Sequence, residues 1–220
     1  MTGTARVAFV VGMVLCAAVA PDAPGQGARR AKPRVLLIGD SVCTYYTPFV
    51  KSGVGTRADV RRSGHLADTR YGLEHIGKYL DGDPYDVIHF NWGLHDVKPV
   101  KGRKNNVPVE EYEKNLRELV RRMKKTGAKL VFATTTPVGP RAARKDADVV
   151  RYNEAALRVM QTEDVPVNDL YALIHPQRDA LQLNEGVHFT EKGNRIIGEA
   201  VAAKILEALN PPTPKEGDAP

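Results

Sequence analysis

Residues 34–41 read RVLLIGDS, and this stretch decides the fold. The run 34–38 is short and apolar, which is typical of a strand that is buried in a sheet. Gly39 and Asp40 break the strand, and Ser41 follows at the predicted turn into a helix. In open parallel sheets this turn lies at the carboxyl edge, where ligands bind. The stretch therefore predicts a strand, a tight turn and a polar side chain at a candidate site.

The same alternation of strand and helix continues along the chain. Strands are predicted over 34–38, 86–91 and 129–134, with weaker candidates over 58–61 and 165–168. Amphipathic helices are predicted over 69–80, 109–125, 147–161 and 192–209. Strands that alternate with helices favour a parallel sheet covered on both faces. We expect a three-layer α/β/α sandwich with a mainly parallel, flavodoxin-like sheet of about five strands.

The first 20 residues have the pattern of a secretory signal peptide. Arg6 precedes the apolar run 7–20, which is short for a membrane-spanning helix and ends in small residues. Lipidation of Cys16 and an uncleaved anchor are the alternatives, although the large Leu15 disfavours lipidation. We expect export to the periplasm or the extracellular space, with no stable membrane insertion after cleavage.

The rest of the chain divides by composition. Residues 21–32 are rich in Pro, Gly and Ala and are predicted to be a linker. Residues 33–209 hold the predicted elements and form the expected domain. Residues 210–220 contain four prolines and no apolar period, so we expect a disordered tail.

The composition excludes several classes of protein. Hydrophobic residues make up 42% and charged residues 26%, so a folded core is expected. Two cysteines exclude a disulfide-dense scaffold and a four-thiolate zinc site. The net charge of +6 favours anionic partners, but no zinc-finger spacing or RNP-type motif points to nucleic acid.

Polar motifs follow two of the predicted strands. Ser41 would lie near a helix N-terminus, where backbone N–H groups can hold an oxyanion, although a serine there can also be only an N-cap. Residues 93–96 read GLHD and follow the strand 86–91. Gly93 permits a tight turn and His95 can donate an N–H, although a structural turn with a satisfied histidine has the same pattern.

A third motif, residues 184–190 (NEGVHFT), precedes the last predicted helix. Glu185 lies three residues before His188, so its carboxylate can fix the imidazole tautomer and leave Nε2 free as a base. A plain loop histidine and half of a di-iron site are the alternatives. The single copy and Gly186 disfavour metal binding, so no metal is expected.

Taken together, these motifs resemble those of the SGNH, or GDSL-type, hydrolase family from about residue 35 to residue 209. The first family block, Gly-Asp-Ser, is present as residues 39–41. The resemblance implies that Ser41 is the nucleophile, that its own N–H contributes to the oxyanion hole and that His188 is the general base. Glu185 stands where the family usually has aspartate.

The resemblance also implies two further oxyanion donors. The second block usually has glycine where this chain has Ala67, and Gly64 is the alternative equivalent. The third block usually reads Gly-x-Asn-Asp, and His95 replaces its asparagine. We expect a divergent branch of the family that keeps the nucleophile and the base.

The resemblance implies a serine esterase that needs no metal or cofactor. We expect hydrolysis of short-chain acyl esters, O-acetyl groups on a carbohydrate above all, through an acyl-enzyme on Ser41. A short-chain lipid esterase resembling a lysophospholipase is one alternative. A non-catalytic carbohydrate-binding protein on a hydrolase fold is another.

Two aromatic residues and two basic segments are candidate substrate contacts. Tyr46 and Trp92 could stack on a sugar ring, although aromatic residues are more often part of the core. Residues 98–106 carry four Lys or Arg, and further basic residues occupy 141–145. These segments are either solvated loops or a basic rim that attracts an anionic polysaccharide.

Overall fold

The structure is a computed structural model that describes Met1 and residues 32–210. The predicted signal peptide and linker, apart from Met1 and Lys32, lie outside the described residues, as do tail residues 211–220.

Parallel strands form a central sheet in the order β2-β1-β3-β4-β5. The strands are β1 (Arg34–Ile38), β2 (Asp59–Arg62), β3 (Val87–Phe90), β4 (Lys129–Ala133) and β5 (Val167–Asn168). The first strand, β1, lies inside the sheet. β2 pairs with it on one side, and β3, β4 and β5 follow in order on the other side. This is the flavodoxin-like order, so the predicted fold class is confirmed.

Helices cover both faces of the sheet. They are α1 (Ser41–Val54), α2 (Thr69–His75), α3 (Gly77–Leu80), α4 (Val109–Lys124), α5 (Asp146–Thr162), α6 (Leu170–Ile174), α7 (Arg178–Leu181) and α8 (Glu191–Leu209). Single 3-10 turns occupy Gly55–Arg57 and His175–Gln177. α1 packs on α8, and α4 packs on α2 and α5. These two layers enclose the sheet.

The central strands are buried on both faces, which explains their continuous apolar sequences. Every residue of β3 is buried, and β1 and β4 are buried after their first residues. His89 is the polar exception in β3, and its Nε2 lies 3.3 Å from Asn168 Nδ2. Burial lowers the pKa of His89 to about 3, so this histidine is neutral and structural.

The contact between α1 and α8 depends on a small residue. A Cβ placed on Gly198 would lie 2.5 Å from Phe49 Cβ and 2.9 Å from the Tyr46 carbonyl oxygen. The backbones of the two helices therefore approach closely. This contact joins the helix that begins at Ser41 to the helix that follows His188.

Two regions differ from the sequence-based expectation. The single helix predicted over 69–80 is divided into α2 and α3, although Ile76 between them keeps helical dihedral angles. The segment from Leu170 to Leu181 forms α6, a 3-10 turn and α7, which sequence patterns did not predict. These pieces are too short to show a helical period.

None of the helices within residues 32–210 is long and apolar enough to cross a bilayer.

The close contact at Gly198 predicts a stability effect. We expect Gly198→Ala to lower the free energy of unfolding by about 1–3 kcal/mol, because the added methyl group overpacks the α1–α8 interface. Urea-induced unfolding measures the change. Gly77→Ala is the matched control, since a Cβ there meets no atom within 4 Å. Equal stability of the two variants would contradict a tight interface.

Candidate active site

Ser41 is placed by the turn that ends β1. Asp40 is the N-cap of α1, and its Oδ1 accepts a hydrogen bond from Val42 N at 2.9 Å. Ser41 is thus the first residue of the helix, and its hydroxyl is free of the capping role. Its backbone N–H is among the first helical N–H groups, which have no partner within the helix. The interpretation of Ser41 as only an N-cap is therefore wrong.

His188 and Glu185 lie on the loop before α8. Glu185 Oε1 accepts hydrogen bonds from both the backbone N and the ring Nδ1 of His188, each at 2.7 Å. Gly186 has a φ of +78°, and a Cβ there would lie 3.0 Å from Ala142 N. The loop thus needs glycine at this position to bring the carboxylate and the imidazole together.

Ser41, His188 and Glu185 form one hydrogen-bonded series. Ser41 Oγ lies 2.8 Å from His188 Nε2, and His188 Nδ1 lies 2.7 Å from Glu185 Oε1. A non-catalytic binding protein does not need such a series, and here the series is intact. A histidine held at Nδ1 by a carboxylate can accept the serine proton at Nε2.

The Glu185 carboxylate is held in its ionised form. Desolvation alone would raise its pKa, but hydrogen bonds from the His188 backbone, from its own backbone and from the His188 ring bring the pKa below the ordinary value. The side chain of Glu185 is 46% exposed, compared with 28% for His188. An ionised Glu185 favours the tautomer with the proton on Nδ1.

Ala67 lies on the loop between β2 and α2, next to the N-cap of α2. Asp68 is that N-cap and accepts a hydrogen bond from Tyr71 N. The alternative donor, Gly64, has a packing role, because a Cβ there would lie 2.3 Å from Tyr79 Oη. Both Ala67 and Gly64 lie on this loop, and Ala67 is the one directly beside the N-cap of α2.

Asp96 links the loop that carries Ala67 to the turn that carries His95. Its Oδ1 accepts hydrogen bonds from Thr69 N at 2.9 Å and from Thr69 Oγ1 at 2.5 Å. Asp96 is fully buried, and its Oδ2 has no hydrogen-bond partner among the described residues. Desolvation raises the pKa of Asp96 to about 7 against the opposing effect of the Thr69 hydrogen bonds. Sequence reasoning gave this residue no role.

His95 is half-buried and lies beside His65. Its ring centroid is 4.8 Å from that of His65. Burial lowers the pKa of His95, Asp40 raises it, and His65, Arg144 and Lys98 lower it further. A neutral imidazole carries one N–H, which can donate a hydrogen bond to an oxyanion.

The structure corrects the two predicted aromatic contacts. Tyr46 is 2% exposed and Trp92 is 1% exposed, so both belong to the core. Tyr46 lies on the inward face of α1, and its neighbour Tyr45 points to solvent instead with 54% exposure. The Tyr45 ring contacts the His188 ring edge-on, with centroids 5.2 Å apart. Tyr45 is therefore the aromatic residue beside the site.

Cys43 and possible metal ligands complete the description of the site. Cys43 is buried, and burial raises its pKa to about 11, so the thiol is a packing group. Within the described residues, no three His, Cys, Asp or Glu side chains gather where they could hold a metal ion.

A serine, a histidine and a carboxylate in hydrogen-bond series at the carboxyl edge of a parallel sheet have the geometry of serine hydrolases. The sequence profile of the GDSL-like Lipase/Acylhydrolase family matches residues 37–196. The chain belongs to this family and is an ester-hydrolysing enzyme.

Curated relatives agree with this assignment, and solved structures share the fold. The chain is 28% identical to isoamyl acetate-hydrolyzing esterase 1 homolog of Homo sapiens, over 84% of each chain. The fold matches a lipase/acylhydrolase from Enterococcus faecalis with a TM-score of 0.67 and 21% identity, over 79% of this chain and 95% of the other. It also matches the acetyl xylan esterase AlAXEase with a TM-score of 0.65 and 14% identity, over 78% of this chain and 99% of the other.

The burial of Asp96 predicts a pH-dependent stability. The folded-state pKa of about 7 lies above the ordinary value of 3.8, so folding binds a proton between these values. Stability contributed by protonated Asp96 is therefore lost as the pH rises from about 4 to about 7. We expect Asp96→Asn to gain stability relative to the wild type over this range, by a few kcal/mol at most.

Thermal unfolding at several pH values measures this difference. Asp59→Asn, which alters a half-exposed carboxylate on β2, is the control. A constant difference between wild type and Asp96→Asn across this range would show that Asp96 is ionised throughout.

Proposed function

We propose that this protein is a serine esterase that removes short acyl groups, acetyl in particular, from a carbohydrate through an acyl-enzyme on Ser41. The hydrogen-bonded series from Ser41 through His188 to Glu185 is the observation that carries the proposal. The three side chains come from two distant parts of the chain. If they served only in packing, they would not need to form this hydrogen-bonded series.

In this mechanism His188 Nε2 takes the proton of Ser41 as Oγ attacks the ester carbonyl. Glu185 stabilises the imidazolium that forms. The Ser41–substrate bond forms as the carbonyl becomes tetrahedral. The bond from the carbonyl carbon to the alcohol oxygen then breaks as the carbonyl re-forms, and His188 gives its proton to the leaving alcohol. Water repeats the sequence on the acyl-enzyme and releases the acid and Ser41.

The proposed oxyanion hole has three donors. They are the backbone N–H groups of Ser41 and Ala67 and the side chain of His95. Removal of one such donor typically lowers the rate by about 10²–10³-fold. The Asp96–Thr69 hydrogen bonds support the arrangement, because they hold the Ala67 loop against the His95 turn.

The names of the relatives favour acetate as the acyl group. The Homo sapiens relative is named for hydrolysis of isoamyl acetate, and a structural neighbour is named as an acetyl xylan esterase. For the alcohol, the exposed Tyr45 beside His188 supports a sugar ring, since His188 is the group that protonates the leaving alcohol. Aromatic faces beside a site are suited to stacking on the apolar face of a sugar.

The proposal places this activity outside the cytoplasm, because the first 20 residues have the signal-peptide pattern.

Replacement of the nucleophile tests the reaction. We expect Ser41→Ala to lower kcat/KM for 4-nitrophenyl acetate by at least about 10³-fold, since the proposed acyl-enzyme forms on Ser41 Oγ. Ser52→Ala, an exposed serine on the same helix, is the control and should keep the wild-type rate. A serine-reactive phosphonate should label Ser41 in the wild type. Equal rates in Ser41→Ala and wild type would overturn the proposed mechanism, and faster hydrolysis of long acyl chains would favour a lipid esterase.

Replacement of Tyr45 tests the alcohol. We expect Tyr45→Ala to lower the ratio of kcat/KM for an acetylated methyl xyloside to that for ethyl acetate by about 5–10-fold, because the ring contact is lost. Tyr45→Phe keeps the ring and should keep the ratio. An unchanged ratio in Tyr45→Ala would exclude Tyr45 as a sugar contact.

A further inference from the structure

The side-chain amide of Asn106 links the two segments that carry proposed oxyanion donors. Asn106 lies on the segment between the His95 turn and α4. Its Nδ2 donates to Asp68 Oδ2 at 2.7 Å and to the His95 carbonyl oxygen at a longer 3.4 Å. Asp68 directly follows Ala67 in the chain. One amide therefore contacts the neighbour of one donor and the backbone of the other.

The backbone of Asn106 is itself fixed on both sides. Asn106 N donates to Lys98 O at 2.8 Å, and Asn106 O accepts a hydrogen bond from Arg70 Nη1 at 3.2 Å. Glu111 holds Arg70 through two hydrogen bonds, from Nε to Oε1 at 2.5 Å and from Nη2 to Oε2 at 2.6 Å. The amide of Asn106 is therefore placed by contacts within the protein, before a substrate binds.

The contacts of Asn106 act beside those of Asp96. Asp96 Oδ1 accepts hydrogen bonds from Thr69, the residue after Asp68. A single contact between two segments permits rotation about it, whereas contacts at consecutive residues of both segments fix their orientation. Asp68 and Thr69 are consecutive, as are His95 and Asp96. The two sets of hydrogen bonds together therefore fix the direction of one segment relative to the other.

We propose that Asn106 is a positioning residue for ester hydrolysis, which keeps the Ala67 N–H and the His95 side chain in the orientation that an oxyanion requires. This inference rests on the proposed function, which includes the oxyanion hole. Asn106 acts through Asp68 and the His95 backbone and not through contact with the substrate. Donors stabilise an oxyanion only in the correct geometry, and a displacement of about 1 Å can lower a rate by about 10²-fold.

Replacement of Asn106 tests the proposal. We expect Asn106→Ala to lower kcat for 4-nitrophenyl acetate by about tenfold and to change KM by less than about twofold. The reason is that acylation and deacylation both pass through an oxyanion, whereas binding of the ester does not. Active sites are counted by complete labelling of Ser41 with the phosphonate, so that an unfolded fraction does not lower kcat. A wild-type kcat in Asn106→Ala would overturn the proposal.

Asn105→Ala is the matched control. Asn105 is the preceding residue and is buried, but its amide forms hydrogen bonds with Val97 O at 2.9 Å and with Arg151 Nη2 at 3.3 Å. Its loss should lower the stability of the protein and change kcat by less than about twofold. An equal loss of kcat in Asn105→Ala and Asn106→Ala would overturn the proposal, because it would indicate a general loosening of this segment.

A double-mutant cycle with Asp68 tests the route. Asp68→Ser keeps an N-cap residue for α2 and removes the oxygen that accepts from Asn106. We expect Asp68→Ser, Asn106→Ala and the double variant to share a loss of about tenfold in kcat, because all of them lack the same hydrogen bond. Losses that multiply to about 100-fold in the double variant would show that the two residues act independently and would overturn the proposal.

Two further variants separate this inference from the proposed function. A lower kcat in His95→Ala with a wild-type kcat in Asn106→Ala would contradict this inference alone. Equal rates in Ser41→Ala and wild type would contradict the proposed function. A loss in Asn106→Ala with a wild-type kcat in His95→Ala would support Asn106 as a positioning residue for Ala67 and would remove His95 from the oxyanion hole.

Discussion

The parallel register between β1 and β3 is the constraint on which the site depends. Ile38 pairs with Phe90, so the two strands end side by side. The turn that carries Ser41 and the turn that carries His95 therefore leave the sheet at neighbouring points. β4 ends beside β3 with Phe90 paired to Phe132, and the loop that holds Arg144 follows it. Two adjoining ladders of backbone hydrogen bonds thus place three loops of different sequence around one point.

Hydrogen bonds between loops then set the finer geometry. Asp96 joins the His95 turn to Thr69, and Gly139 joins the β4–α5 loop to Gly186 beside Glu185. Each of these hydrogen bonds joins two separate segments at this edge of the sheet, so the positions of these segments are coupled. As a consequence, Asp96 is a buried carboxylate whose Oδ2 has no hydrogen-bond partner among the described residues. Such unfavourable groups tend to persist in proteins where a precise geometry is required.

The sequence alone predicts the strands of the sheet centre and the order of its motifs, because a strand buried on both faces requires an unbroken apolar run. It does not predict β5 well, since a strand of two residues has no pattern to read. Tyr46 and Tyr45 show a second limit. Which of the two faces solvent depends on the phase of α1, and that phase is set by the residue at which the helix begins.

The separation of Ser41 and His188 along the chain has a consequence for synthesis. The two residues are 147 positions apart, and His188 precedes α8, which must pack against α1. Under the proposed mechanism, a ribosome-bound chain that ends before residue 188 carries the serine without its base. The hydroxyl would then be an ordinary alcohol, and it would become reactive only when α8 packs against α1. Under that mechanism the protein gains esterase activity only when the domain is complete, and the nascent chain does not hydrolyse esters before then.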